Sequence, residues 1–187
     1  MEEIFNIDYD FVIDLILEQN AIGFFQGKSE GGPRALGNRS ILFDPRNYLA
    51  KDIVNNIKQR EWFRPFAGTV LLEHANEWFE METLKESPFM MYAMKVKENK
   101  KTLIPGIIHV DDTCRIQTVT EEQNYHYYNL INTFYKKTEV PIIFNTSLNL
   151  AGNVLSYTDA DAINVLYESE LEYLYFPEKQ KLVVVKN

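Results

Sequence analysis

The residues best suited to chemistry in this chain are arginines, and they are bunched. Of six arginines in 187 residues, Arg34, Arg39, Arg46, Arg60 and Arg64 lie between residues 27 and 64, and Arg115 stands alone later. That stretch carries eight Lys and Arg against four Asp and Glu, a local charge of +4 in a chain of net charge −8. Guanidinium groups bind carboxylate and phosphate through a rigid two-pronged fork, so a local excess of them in an acidic protein points to an oxyanion site. Inside it, Gly31 and Gly32 read as residues free to take unusual backbone angles, followed by a helix-starting Pro33. The single turn of residues 33–36 would aim its free N–H groups at an anion, with Arg34 and Arg39 on either side. Lys58 and Arg60 end the helical pattern of residues 47–59, where a cation also suits the helix dipole, so a structural and a functional reading both stand. Arg64, among Trp62, Phe63 and Phe66, is either stacked for structure or held for a ligand.

Two later segments add polar groups that could face these cations. VPIIF at residues 140–144 reads as a strand buried on both faces, emptying into a loop that carries Asn145, Thr146, Ser147 and Asn149. Ligands settle beside the carboxyl ends of strands in open α/β sheets, although ordinary turn chemistry accounts for the same residue types. In RIQTV, alternation puts Arg115, Gln117 and Val119 on one face, which looks either into a cleft or into solvent from an edge strand. His109 and Asp111 can share a face, as a catalytic or as a structural pair. His74, beside Glu73 and Glu77, lacks the further histidines a metal site would need, and His126 has no evident partner. The single Cys114 excludes an internal disulfide and reads as an ordinary small apolar residue.

The elements that must position these groups follow from periodicity. Helices are expected at residues 8–19, capped by Asp8, at 47–59, at 122–137 and from Thr158, with a helical turn at 74–80. Strands are expected at 21–27, 39–45 and 68–73, at a core stretch 87–96, at 107–110, 115–119 and 140–144, and in the last two apolar runs. Residues 99–106 read as a polar connector. Strand-like and helix-like segments interleave without a repeat or linker, which gives one α/β domain over residues 1–187. The composition, 45% hydrophobic and 13% aromatic, is that of a folded domain. No apolar run approaches the ~20 residues of a membrane span, and the acidic start is unlike a targeting peptide, so the chain is expected to be cytoplasmic. Its acidity argues against a general nucleic-acid binder.

GxxxxGK[ST], GxGxxG and HExxH are all missing, so the anion site is of another kind. GGPRALGNRSIL, KQREWFRPFA, HVDDTCRIQTV and PIIFNTSLN, in that order, resemble the C-terminal region of the carbamoyltransferases of nodulation-factor and antibiotic biosynthesis. The resemblance runs from about residue 20 to 175. It implies a YrdC-like fold, an open twisted mixed sheet flanked by helices. It also implies that ATP and carbamoyl phosphate are joined into carbamoyl-adenylate, with release of pyrophosphate and phosphate. Carried over by motif, Arg34, Arg39, Lys58, Arg64, Arg115, Asn145 and Ser147 would grip these ligands, with Gly32 and His109 beside them. Lys58, Arg115 and Ser147 would serve the reacting centre. Mg²⁺ would accompany ATP, without identified protein ligands. Where the family has an acidic residue and then an aromatic before GPRALG, this chain has Glu30, Gly31 and Gly32, which is expected to loosen that loop or to alter the ligand contacts. The resemblance further implies that the chain lacks the family's metal-holding transferase half. It would then activate a carbamoyl group and rely on a transferase domain or subunit to deliver it, its docking face leading it to pair with that partner or with itself. The alternative is a non-catalytic phosphate- and nucleotide-binding module of a split enzyme.

Overall fold

A computed structural model describes residues 1–186. Nine strands form one mixed sheet: β1 (Glu2–Phe5), β2 (Ile22–Phe25), β3 (Arg39–Phe43), β4 (Ala67–Leu71), β5 (Tyr92–Lys95), β6 (Thr113–Val119), β7 (Ile142–Ser147), β8 (Tyr173–Phe176) and β9 (Lys181–Val184). Their order is β1-β9-β8-β2-β3-β7-β4-β6-β5. Only β2/β8 and β4/β6 pair in parallel, and the other neighbours are antiparallel. The inner strands β2, β3 and β4 are buried along their whole length and β7 over residues 142–145, because residues in the middle of a sheet covered on both faces lose water on both sides.

The helices are α1 (Tyr9–Leu17), α2 (Ala50–Ile57), α3 (Ala75–Trp78), α4 (Tyr125–Thr138) and α5 (Asp159–Tyr167). Helix starts are specified locally. The Asp8 side chain accepts from Phe11 N, Asn124 from Tyr127 N, and Thr158 forms a reciprocal capping box with Asp161. α4 ends where Glu139 turns left-handed, φ 62°. α4 packs on β4 and β7, its buried Tyr127 reaching Phe24 and Thr69. On the opposite face, Ile107 of the 3-10 turn Pro105–Ile107, which touches α2, closes over Gly68. A β-carbon there would lie 2.6 Å from Ile107 Cδ1.

Several expected elements differ. Residues 87–96 are not a core strand: only Tyr92–Lys95 pairs, as the outermost strand, and Met91 is 71% exposed. As the edge strand, β5 has a neighbour on one side only, and its side chains are mostly exposed. Residues 107–110 form no strand, because Asp112 adopts φ 65° and His109 N bonds Thr113 O at 2.7 Å, folding the chain back on itself. The connector at 99–106 overlaps the 3-10 helix Glu98–Leu103. β1, too polar to show a period, is recruited by pairing with β9. Residues 145–147 belong to β7 rather than to a loop. Neither Gly31 nor Gly32 has positive φ, and residues 33–36 form no helical turn. The glycine that the loop does require is Gly37, at φ 102°, where a β-carbon would sit 2.2 Å from Tyr127 Cδ1.

Candidate anion site

Strand register builds the floor of the site. Arg115, Ala67, Asn145 and Leu42 stand opposite one another across β6, β4, β7 and β3, so their side chains rise from one face. Gln117 and Thr69 follow in the next row on that face. Because β7 runs antiparallel to β3 and β4, its carboxyl end meets their amino ends, and the floor lies at that junction.

A buried polar network fastens the loop of residues 33–37 to this floor. Asn145 Nδ2 donates to the carbonyl of Ala35 (3.1 Å) and to Thr69 Oγ1 (3.1 Å), and Gln117 Nε2 donates to the carbonyl of Leu36 (2.9 Å). Thr69 Oγ1 donates to Gln117 Oε1 (2.9 Å) and accepts from Tyr127 Oη (2.8 Å). From the other side Glu30 Oε1 accepts from the backbone N–H groups of Leu36 (2.8 Å), Asn38 (2.8 Å) and Arg39 (3.4 Å). These N–H groups therefore face the protein's own carboxylate and not an open site. Glu30 holds the loop that the adjacent glycines are expected to loosen.

The cations divide into two classes. Arg39 is turned inward: its five N–H groups meet the carbonyls of Ser156, Gln26, Asn38, Gly27 and Tyr157 at 2.5 to 3.3 Å, and its guanidinium lies 3.6 Å over Phe25. With every donor used it has none for a ligand, which corrects its place among the gripping residues. Arg46 is spent on Asp44, its Nη2 2.6 Å from Oδ2, whereas Arg34, Arg60, Arg64 and Arg115 repel one another. Burial and the neighbouring Arg64 and Arg115 pull Arg60 down to about 10, against the opposing pull of Glu61. Arg115 is lowered by burial and by Arg34. Arg60 rests 4.2 Å over Phe66, with Nε bonded to Asn55 Oδ1 at 2.6 Å. Arg60 Nη2 and Arg115 Nε are buried without a partner. Arg34 is exposed, and Arg64 is exposed and paired with Glu61 at 2.7 Å.

Lys58 underlies this cluster. Its Nζ donates to the carbonyl of Ser147, to that of Asn149 (2.6 Å) and to Asn149 Oδ1 (2.9 Å), while Ser147 Oγ donates to the same Oδ1 at 2.6 Å. Burial, with Arg60 adding to it, pushes the ammonium down to about 7. Three acceptors around three N–H donors pull the other way. A cleft of about 490 Å³ opens beside this unit, with Gly32 and Pro33 on one wall and Ser147 and Asn149 on the other. His109 sits apart from it as a brace, Nε2 to the carbonyl of Phe66 (2.9 Å) and Nδ1 to Thr113 Oγ1 (3.2 Å). Asp111 bonds Thr113 rather than the imidazole. Burial raises the Cys114 thiol to about 12, which removes it as a nucleophile.

The residues carried over by motif leave out three that the fold brings in: Arg60 and Asn149, although both lie inside the quoted motifs, and Glu30. Arg60 and Asn149 each lie two residues from a motif neighbour, Lys58 and Ser147, and that spacing is the signal that could have found them. Nothing local marks Glu30, whose partners come from the far end of its loop.

The family described as "Carbamoyltransferase C-terminus" matches residues 13–182. The nodulation protein NolNO of Sinorhizobium fredii is 48% identical over 85% of this chain and 24% of its own length. A 3'-hydroxymethylcephem-O-carbamoyltransferase of Amycolatopsis lactamdurans is 34% identical over 78% of this chain and 27% of its own. The chain therefore spans about a quarter of the length of these relatives. Among solved structures, P. abyssi Sua5 complexed with L-threonine superposes with TM-score 0.59 at 13% identity, covering 90% of this chain and 46% of that one. The likeness establishes the fold, a YrdC-like mixed sheet with helices.

Proposed function

The chain belongs to the carbamoyltransferase C-terminus family, and from that premise we propose that its arginine cluster binds ATP and carbamoyl phosphate and joins them into carbamoyl-adenylate. One observation carries the reading: Arg34, Arg115, Arg60 and Arg64 form a chain of mutually repelling cations continued by Lys58, with Glu61 as the one acid that acts against it at Arg60. Packing like charges together is unfavourable unless an anion joins them, and the two buried orphan guanidinium N–H groups are donors suited to phosphate oxygens.

The overall reaction consumes ATP, carbamoyl phosphate and water and yields carbamoyl-adenylate, pyrophosphate and phosphate. Water releases phosphate from carbamoyl phosphate and leaves carbamate, whose oxygen bonds to the α-phosphorus as the bond to pyrophosphate breaks. Arg60 and Arg115 would neutralise charge gathering on the transferred and departing phosphates, work that needs positioned cations and little covalent chemistry. Lys58 fixes Ser147 and Asn149 as one wall of the cleft, and Arg34 and Arg64, both exposed, would add positive charge from solvent. Magnesium would arrive on the nucleotide with its own waters: among the described residues no group of three His, Cys, Asp or Glu could hold a metal. Delivery to a hydroxyl acceptor falls to a transferase domain or subunit.

Pyrophosphate release from ATP plus carbamoyl phosphate tests this. Arg115→Ala is expected to lower the rate by about 100-fold or more, with melting little changed. Full activity in that variant would remove Arg115 from the site. Binding of both ligands by the wild type without pyrophosphate release would leave the non-catalytic module, the reading favoured by the full engagement of Lys58 Nζ inside the protein.

A further inference from the structure

Glu30 has an oxygen to spare. Its Oε1 accepts from the N–H groups of Leu36, Asn38 and Arg39, whereas Oε2 is buried and has no hydrogen-bond partner. That state is costly, because burial strips a carboxylate oxygen of water and here nothing replaces it. Arg39 is near enough for its charge to act on Glu30, yet its N–H groups are spent on backbone carbonyls. The unmet need is for a donor, and a charged donor meets it best.

Glu30 belongs to the wall of a cleft of about 420 Å³, between the β2–β3 loop, β6 and the start of α4. A second carboxylate, Glu86, stands in the same wall with Gln123 Nε2 beside it at 3.4 Å. Among the described residues no Lys, Arg or His lines this cleft, and neither acid forms an ion pair. The carboxamides of the wall are occupied within the protein: Asn124 Nδ2 donates to Asn38 Oδ1 (3.0 Å), Asn38 Nδ2 to the carbonyl of Lys28 (2.8 Å), and Gln117 Nε2 to that of Leu36 (2.9 Å). Leu36, Pro88 and the exposed ring of Phe89 give the cleft an apolar side. Two acids without a cation, next to apolar surface, match a primary ammonium on a short hydrocarbon stem, and the face of Phe89 adds attraction for the charge. The volume is that of a small-molecule site.

We propose that this cleft binds a small primary alkylamine, whose ammonium donates to Glu30 Oε2 and to Glu86 while its stem lies against Leu36, Pro88 and Phe89. Lys58, Ser147 and the six arginines do not line it, so the site is separate from the anion site and independent of the functional reading above. The two are joined through the loop. The carboxylate that takes the amine also holds the N–H groups of Leu36 and Asn38, and Gln117 holds the carbonyl of Leu36, so an occupant stiffens the segment fastened to the anion floor.

Calorimetric titration of the whole chain at about neutral pH with n-butylammonium chloride tests this, against n-butanol, which keeps the stem, and ammonium chloride, which keeps the charge. One saturable site is expected for n-butylammonium, bound about tenfold tighter than either control. Glu30→Gln keeps an oxygen for the loop N–H groups and puts an amide nitrogen in place of Oε2, and should weaken binding about tenfold. Glu86→Gln, at an exposed position, should weaken it about threefold. Asp52→Asn removes an exposed acid outside the cleft and should change nothing. No saturable site, binding of either control as tight as that of n-butylammonium, or unchanged binding in either glutamine variant overturns the proposal. An equal loss in Asp52→Asn also overturns it, by assigning the binding to the net charge of −8. Should Glu30→Gln not fold, Glu86→Gln and Phe89→Ala decide, the latter expected to weaken binding about threefold.

Discussion

At the scale of single residues, Arg39 and Arg115 are the same side chain put to opposite uses. Arg39 spends all five donors on backbone carbonyls of three segments and stacks on Phe25. Lysine has three donors and no planar fork, so Arg39→Lys should cost about 2–4 kcal/mol in urea denaturation while leaving phosphate affinity in the folded fraction near wild type. Lys58 gives a pH signature. Its folded pKa, about 7, lies below the usual lysine value of 10.5, so between those two values the unfolded chain binds more protons than the folded one. Stability contributed at this position therefore rises with pH across that window and is lowest below 7. Denaturation at pH 6.5, 8 and 9.5 should show wild type gaining on Lys58→Met as pH rises. A flat difference would mean that the three oxygens around Nζ fully stabilise the ammonium.

At the scale of elements, the loop between β2 and β3 decides the geometry of the site. Gly37 combines φ 102° with contact against Tyr127, so Gly37→Ala should cost upward of about 2 kcal/mol and expose the loop to proteolysis. A β-carbon added at Gly32 would meet nothing within 4 Å, and the φ of Gly32 is not positive. Gly32→Ala should stay within about 0.5 kcal/mol of wild type in melting, so any change in ligand affinity reports on the cleft alone. Two helix starts were readable because their caps are local, Asp8 and Thr158 acting within three residues, whereas the helix expected from residue 122 begins at Tyr125, after the cap Asn124. The loop was not readable, because Glu30 reaches Leu36 and Asn38 across a turn, and Tyr127 reaches Thr69 across 58 residues.

At the scale of the molecule, a cluster of cations sits in a chain of net charge −8, and its self-repulsion is a standing cost that an anion relieves. Tripolyphosphate at a hundredfold excess over its dissociation constant should raise the melting temperature by roughly 5–10 °C. The rise should shrink in Arg115→Ala and at high salt, as screening weakens both repulsion and binding. No rise in wild type would remove the anion site. Among the described residues no helix is long and apolar enough to cross a membrane. Beside Arg64, Trp62 and Phe63 stand 77% and 65% exposed.

The sequence by itself determined the arginine-rich stretch, the capped helices, the α/β class and the family, because each is written in adjacent residues or in motifs read in order. Tertiary structure alone decided which cations face the site. Whether an arginine is a ligand or a strut depends on what its five donors meet, and for Arg39 two of those partners lie 117 and 118 residues away. It likewise placed Asn145 in a strand beside Ala67, two strands from Arg115, a neighbourhood set by sheet register and invisible to spacing along the chain.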